Sequence, residues 1–357
     1  MHNDPNESTT PANKGNPMRA VVYDRPYSFS VRDLPDPEPG PTDVVLRTLI
    51  TGVCGTDLHL HQGGFAPAYP LIPGHEIVGE VIEVGEDVDS LQVGQVVAVD
   101  NANTCGYCAE CRAGRAQHCP SRTALGVDEP GGFAGRVVAR ARKCYPVDGL
   151  PLEAAVMIEP IACAVHGVES LDLSPGADVL VFGAGPSGNV LAQLLLHGGA
   201  DRVTMAAPTA FKLDLARSHG IDETVLLDRE DPAAGREALR ELAPDGFDVV
   251  VDATGATSVL QHCISLTRNA GTVFVYGMAD EDAEITVKPN EIFRRELSIV
   301  GSFAQAYGFE RAVAVVKAGR VRTEGIVTHH FGLDEYEGAL DAVRSDPTCL
   351  KAAVVPN

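Results

Sequence analysis

The chain has 357 residues, 45% of them hydrophobic and 5% aromatic, and a formal net charge of −21. Domains run to roughly 150 residues, so two are expected. No apolar run approaches the ~18 residues of a membrane helix, and so acidic a chain argues against nucleic acid and anionic membrane surfaces as partners.

Residues 1–17 are polar, lack the apolar stretch of a secretory signal and read as a disordered tail. From residue 18 to about 98 the pattern is β-like. Short apolar stretches such as VVLRTLI and EIVGEVIEVG are broken by clusters such as LPDPEPGPTD. This region carries GVCGTDLH at 52–59 and GHE at 74–76. Cys54 and His75 are a soft thiolate and an imidazole, both natural zinc ligands, and a carboxylate can complete a three-ligand site with one position open. Glu76 and Glu159 are the candidates for that carboxylate.

Cys105, Cys108, Cys111 and Cys119 follow, spaced C-x2-C-x2-C-x7-C. Tight Cys-x2-Cys turns bring two thiolates to one metal, and four close a tetrahedral shell. This lobe reads as a structural zinc site. The chain has nine cysteines. Cys144, Cys163, Cys263 and Cys349 are expected as buried free thiols, and the whole set suits a reducing, cytoplasmic interior.

Near Glu153 the pattern changes. LEAAVMIEPIACAVHGVESL has helical spacing, and Glu159 lies within it. ADVLVF then reads as a buried strand, SGNVLAQLLLHGG as a helix, RVTMAA as a strand and FKLDLARSHG as a helix. FDVVVDATG, TSVLQHCISLTRN and GTVFVYG repeat the alternation. Such alternation predicts parallel βαβ units. The first turn carries Gly183, Gly185, Pro186, Ser187 and Gly188 as GxGxxG between strand and helix, the context of a dinucleotide-binding loop. Thr254 and Gly277, ending later strands, are further cofactor candidates. At the end of RVTMAA, Ala207 stands where an acid would bind the ribose 2′-hydroxyl of NAD. With Thr209 and Lys212 nearby, the loop leans towards NADP over NAD. From about residue 302 the pattern is mixed again.

With these motifs in this order from residue 18 onward, the chain resembles the zinc-dependent medium-chain dehydrogenase/reductase superfamily. The markers are GVCGTDLH, PGHEIVGEVIEVG, the cysteine lobe, EPIACAVHG and VLVFGAGPSG. Within the superfamily it is most similar to the polyol (sorbitol/xylitol) dehydrogenase branch, because Glu159 stands where alcohol dehydrogenases place a second cysteine. The resemblance implies an α/β protein. A GroES-like β-rich catalytic domain would span 18–165 and 302–357, and a Rossmann doubly wound parallel-sheet domain 166–301. It implies two zinc ions per chain and NADP or NAD. It makes Cys54 and His75 ligands of the catalytic zinc, with Glu76 or Glu159 as the third. It puts Thr56 and His59 at proton-relay positions and has Asp57 accepting a hydrogen bond from His75. Lys351 is taken as structural.

The activity implied is hydride transfer between nicotinamide and a secondary hydroxyl of a polyol, sugar or cyclitol. L-threonine, a butanediol-type diol and a simple secondary alcohol remain as other substrates. A non-catalytic dinucleotide-binding protein is the remote alternative. Relatives form dimers or tetramers through the cofactor-domain sheet, so a homo-oligomer, a tetramer, is expected.

Overall fold

In a computed structural model, which describes residues 17–65 and 67–356, the alternating apolar stretches become one parallel sheet. Its six strands lie in the order Glu223–Leu226, Arg202–Ala207, Asp178–Phe182, Phe247–Asp252, Thr267–Val275 and Ser298–Gly301. The chain winds outward in one direction from Asp178–Phe182, then crosses over to Phe247–Asp252 and winds in the other. The switch point between these two strands opens a crevice at their carboxyl ends, the place where such sheets take nucleotides. Strands buried on both faces read as continuous apolar runs. Val179, Leu180 and Val181 are fully buried.

The second sheet is mostly antiparallel and has seven strands. Asp43–Val53 lies at its centre, paired with Glu76–Val84, Arg136–Arg140 and Lys351–Val354. Val327–Phe331 and Lys351–Val354 therefore bring the end of the chain back into the sheet begun by its N-terminal part. The helical stretch after residue 151 is two helices, Leu152–Ala155 and Ile158–Glu169. The longer one lies between the sheets. Its Ile158, Ile161 and Ala162 are fully buried in one apolar cluster that includes Ile50 and Val78 of one sheet and Val179 and Val181 of the other. Burying each isoleucine contributes about 1.5–3 kcal/mol. That packing fixes the helix N-terminus, and with it Glu159, against both sheets. The expected tail at 1–17 lies outside the described residues except for Pro17.

Candidate metal centres and dinucleotide site

Antiparallel pairing builds the first centre. In the register of Asp43–Val53 with Glu76–Val84, Gly52 stands opposite Glu76. The first strand ends one residue before Cys54, and the second begins one residue after His75. Cys54 is also the N-cap of the helix Gly55–Gln62. One sulfur, one ring nitrogen and one carboxylate oxygen from Cys54, His75 and Glu76 all lie within 4.8 Å of one another. Glu159 does not belong to that trio, although its charge is felt at His75. Thr56 follows in the first turn, its Oγ1 4.0 Å from the Cys54 sulfur. His59, half-buried, lies one turn further, its ring 6.3 Å edge-on from Phe65.

The electrostatics favour a cation. Burial lowers the pKa of His75, but Asp57, Cys54 and Glu159 outweigh it and raise the group to about 10. Burial, with Glu76 adding, pushes Glu159 up to about 7 against the opposing pull of His75. Asp57 differs from expectation. Its Oδ1 is 3.7 Å from His75 Nδ1, beyond hydrogen-bond length, and neither atom has a hydrogen-bond partner. The other oxygen explains this: Asp57 Oδ2 accepts the Cys54 amide at 2.8 Å and so closes the start of the helix. A soft thiolate, an imidazole whose Nδ1 has no hydrogen-bond partner among the described residues and a carboxylate, gathered beside Asp57 and Glu159, are a donor set that fits zinc.

Lys351 is more than a structural lysine. It opens the last strand, 4% exposed, and its Nζ stands 2.6 and 2.9 Å from the two oxygens of Glu76 and 3.3 Å from the Val53 carbonyl. Burial pulls Lys351 down, but Glu76 and Cys54 more than restore it, and it stays charged. Gly52 leaves the space: a Cβ there would sit 1.8 Å from Glu76 Oε2. Cys163 is a free thiol, as expected, and burial, with Glu159 adding, raises it well above the ordinary range of a thiol. It is half-buried one turn after Glu159, with its sulfur 3.7 Å from Glu159 Oε1.

The second centre is local. The sulfurs of Cys105, Cys108, Cys111 and Cys119 lie within 4.8 Å of one another. The sulfurs of Cys119 and Cys105 are 3.6 Å apart, and the thiols are unbridged. The Cys108 and Cys111 amides donate to the sulfurs of Cys105 and Cys108 at 3.3 and 3.4 Å. Backbone donors from Tyr107 and Cys108 bring Cys105 down to about 6, towards the thiolate a metal needs. Four converging sulfurs with no open position fit a structural zinc.

The glycine loop sits at the switch point. Gly183 has φ 104°, and a Cβ on Gly188 would lie 1.9 Å from the Gly183 carbonyl. Gly185 faces open space, and Pro186 and Ser187 begin the helix Pro186–His197. No side chain caps that helix, so its first amides are left for phosphate oxygens. Thr254 abuts Gly183 and bonds Asp252 Oδ1 through both its amide and its hydroxyl, while Gly277 donates to the Asp252 carbonyl at 2.8 Å. Ala207 ends its strand buried, Thr209 is the N-cap of Ala210–Ser218, and Lys212 lies half-buried in that helix's first turn.

Comparison with known proteins agrees with this geometry. Residues 40–149 match the alcohol dehydrogenase GroES-like domain, and residues 186–318 the zinc-binding dehydrogenase domain. D-arabinitol dehydrogenase 1 of Uromyces fabae is 44% identical over 95% of this chain and 97% of its own length. D-altritol 5-dehydrogenase of Agrobacterium fabrum is 36% identical over 93% and 95%. A zinc-binding dehydrogenase of Sinorhizobium meliloti, solved bound to NADP, superposes with a TM-score of 0.88 at 30% identity, covering 96% of this chain and 100% of that one.

Proposed function

Because the chain belongs to the zinc-binding dehydrogenases with an alcohol dehydrogenase GroES-like domain, we propose that it transfers hydride between a secondary hydroxyl of a polyol, sugar or cyclitol and a nicotinamide dinucleotide. The observation that carries the reading is the trio Cys54, His75 and Glu76 beside Glu159, on the helix that packs against both sheets. The polyol names of two full-length relatives support the substrate class.

Cys54, His75 and Glu76 would hold the catalytic zinc, and the four-cysteine lobe would hold the structural one. When bound, the catalytic zinc supplies Lewis acidity towards the substrate oxygen, and the nicotinamide supplies a hydride acceptor. Lys351 fixes the Glu76 carboxylate, and Asp57 fixes the turn that carries Cys54. Thr56 Oγ1 would take the hydroxyl proton as its own proton leaves towards His59, which would release it to solvent. Glu159 lies near the trio, its charge felt at His75. Burial raises its carboxyl to about 7 against the opposing pull of His75. The packed helix Ile158–Glu169 excludes water behind the reacting groups.

In this reading residues 18–165 and 302–357 form the catalytic domain and 166–301 the cofactor domain. The exposed edge strand Ser298–Gly301, with Ile299 45% and nearby Phe293 80% exposed, supports a homo-oligomer joined at that edge, a dimer or a tetramer. Nine unbridged cysteines support a reducing, cytoplasmic setting. Among the described residues no helix is long and apolar enough to cross a membrane. The test is formation of reduced nicotinamide from D-arabinitol, D-altritol and other polyols, set against L-threonine, butanediol and simple alcohols. Turnover confined to the last three would remove the substrate class.

A further inference from the structure

The Arg202–Ala207 strand ends at the sheet edge where, in the dinucleotide reading above, the adenosine ribose falls. The adjacent strand Glu223–Leu226 runs parallel to it with Leu226 opposite Ala207, and the Leu227 amide donates to the Ala207 carbonyl at 2.9 Å. That register carries the residues after Leu227 over the same edge. Arg229 is exposed there and makes no ion pair or hydrogen bond among the described residues. Two of the acids flanking it are turned to backbone. Asp228 Oδ1 accepts the Glu230 amide at 2.8 Å, and Asp231 Oδ1 accepts the Ala234 amide at 3.1 Å, capping Pro232–Leu242. Glu230 stays exposed.

Thr209 and Lys212 follow Ala207 at the start of the helix Ala210–Ser218. Thr209 is an N-cap whose hydroxyl makes no capping bond. Lys212 packs its Nζ 5.8 Å from the centre of the Phe211 ring and has no carboxylate partner among the described residues. Its charge is disfavoured first by burial and further by Arg229, with Cys349 opposing, so the two cations lie within each other's field. In a chain of net charge −21, two cations with no ion pair among the described residues, beside a strand end that lacks its acid, form a place for an anion.

We infer that Arg229, with Lys212 and Thr209, receives the 2′-phosphate of NADP and makes NADP the preferred cofactor. A guanidinium offers paired donors to phosphate oxygens, and the missing acid at Ala207 removes the group that would repel them. Arg229 becomes the specificity-determining residue, one that no reading of the Ala207–Lys212 loop alone identifies. The inference rests on the dinucleotide reading of the glycine loop.

The test is calorimetric titration of the full-length protein with 2′,5′-ADP and with 5′-AMP, the adenosine end with and without the 2′-phosphate. Wild type is expected to bind 2′,5′-ADP about 10-fold or more tightly than 5′-AMP, and Arg229→Ala to reduce that ratio about 10-fold. Arg229→Lys keeps part of it. Equal binding by wild type, a preference for 5′-AMP, or an unchanged ratio in Arg229→Ala overturns the inference. Binding of neither compound overturns the dinucleotide reading as well. The titration needs no alcohol and stands apart from the substrate assignment.

Discussion

Replacing Lys351 by methionine removes one charge from a buried pair and keeps most of the volume. Glu76 is 1% exposed, and both its oxygens lie within 2.9 Å of Lys351 Nζ. Stripping the partner from such a pair costs about 3–5 kcal/mol, because a carboxylate is left buried and uncompensated. That full loss is expected in the metal-free protein. In the zinc-loaded protein the metal compensates Glu76, so the loss is smaller. The difference appears as tighter zinc binding by Lys351→Met, since a cation beside a dication is gone. Urea unfolding of metal-free and zinc-loaded wild type, Lys351→Met, Glu76→Gln and the double variant gives the coupling. The double variant should lose less than the sum of the single changes. A metal-free loss below about 1 kcal/mol, or strictly additive single changes, would refute the pairing as the structure presents it.

Other consequences are equally direct. Cys54→Ser should lower the metal content from two zinc ions to one and abolish turnover while dinucleotide binding stays near normal, and retained turnover would sink the catalytic assignment. Cys119→Ser should lose the other zinc and destabilise the lobe by about 2–5 kcal/mol, read by metal content and thermal unfolding. Gly52→Ala puts a Cβ 1.8 Å from Glu76 Oε2, and Gly55→Ala meets nothing within 4 Å. The first should cut kcat/KM by about 100-fold or more, and the second should leave it nearly unchanged. Metal-free His75, raised to about 10 by Asp57, Cys54 and Glu159 against the lowering effect of burial, is protonated at neutral pH. Zinc must displace that proton, so zinc affinity should rise with pH through the neutral range and proton release should accompany loading. A zinc affinity independent of pH there would contradict the site.

Features set by local spacing were legible in the chain itself. The four cysteines span one short lobe, so their convergence follows from the tight turns between them. The glycine loop was readable because an apolar strand precedes it and a helix follows. Features set by sheet register were not. Lys351 reaches Glu76 across 275 positions because the last strand pairs with Asp43–Val53. Arg229 reaches the Ala207 edge only through a parallel pairing of two short strands. The choice between Glu76 and Glu159 likewise turns on where a helix packs. Asp57 was misjudged for a different reason. A residue three after an N-cap serves the cap amide first, and this draws the carboxylate away from His75.

The most direct test of the central claim is the initial rate of nicotinamide reduction by zinc-loaded protein, with D-arabinitol and D-altritol measured beside L-threonine and 2,3-butanediol. The account predicts a kcat/KM for a polyol at least about 10-fold above either of the others, lost when zinc is removed and restored when it returns. Turnover of threonine or butanediol alone, or polyol turnover indifferent to zinc, would contradict it.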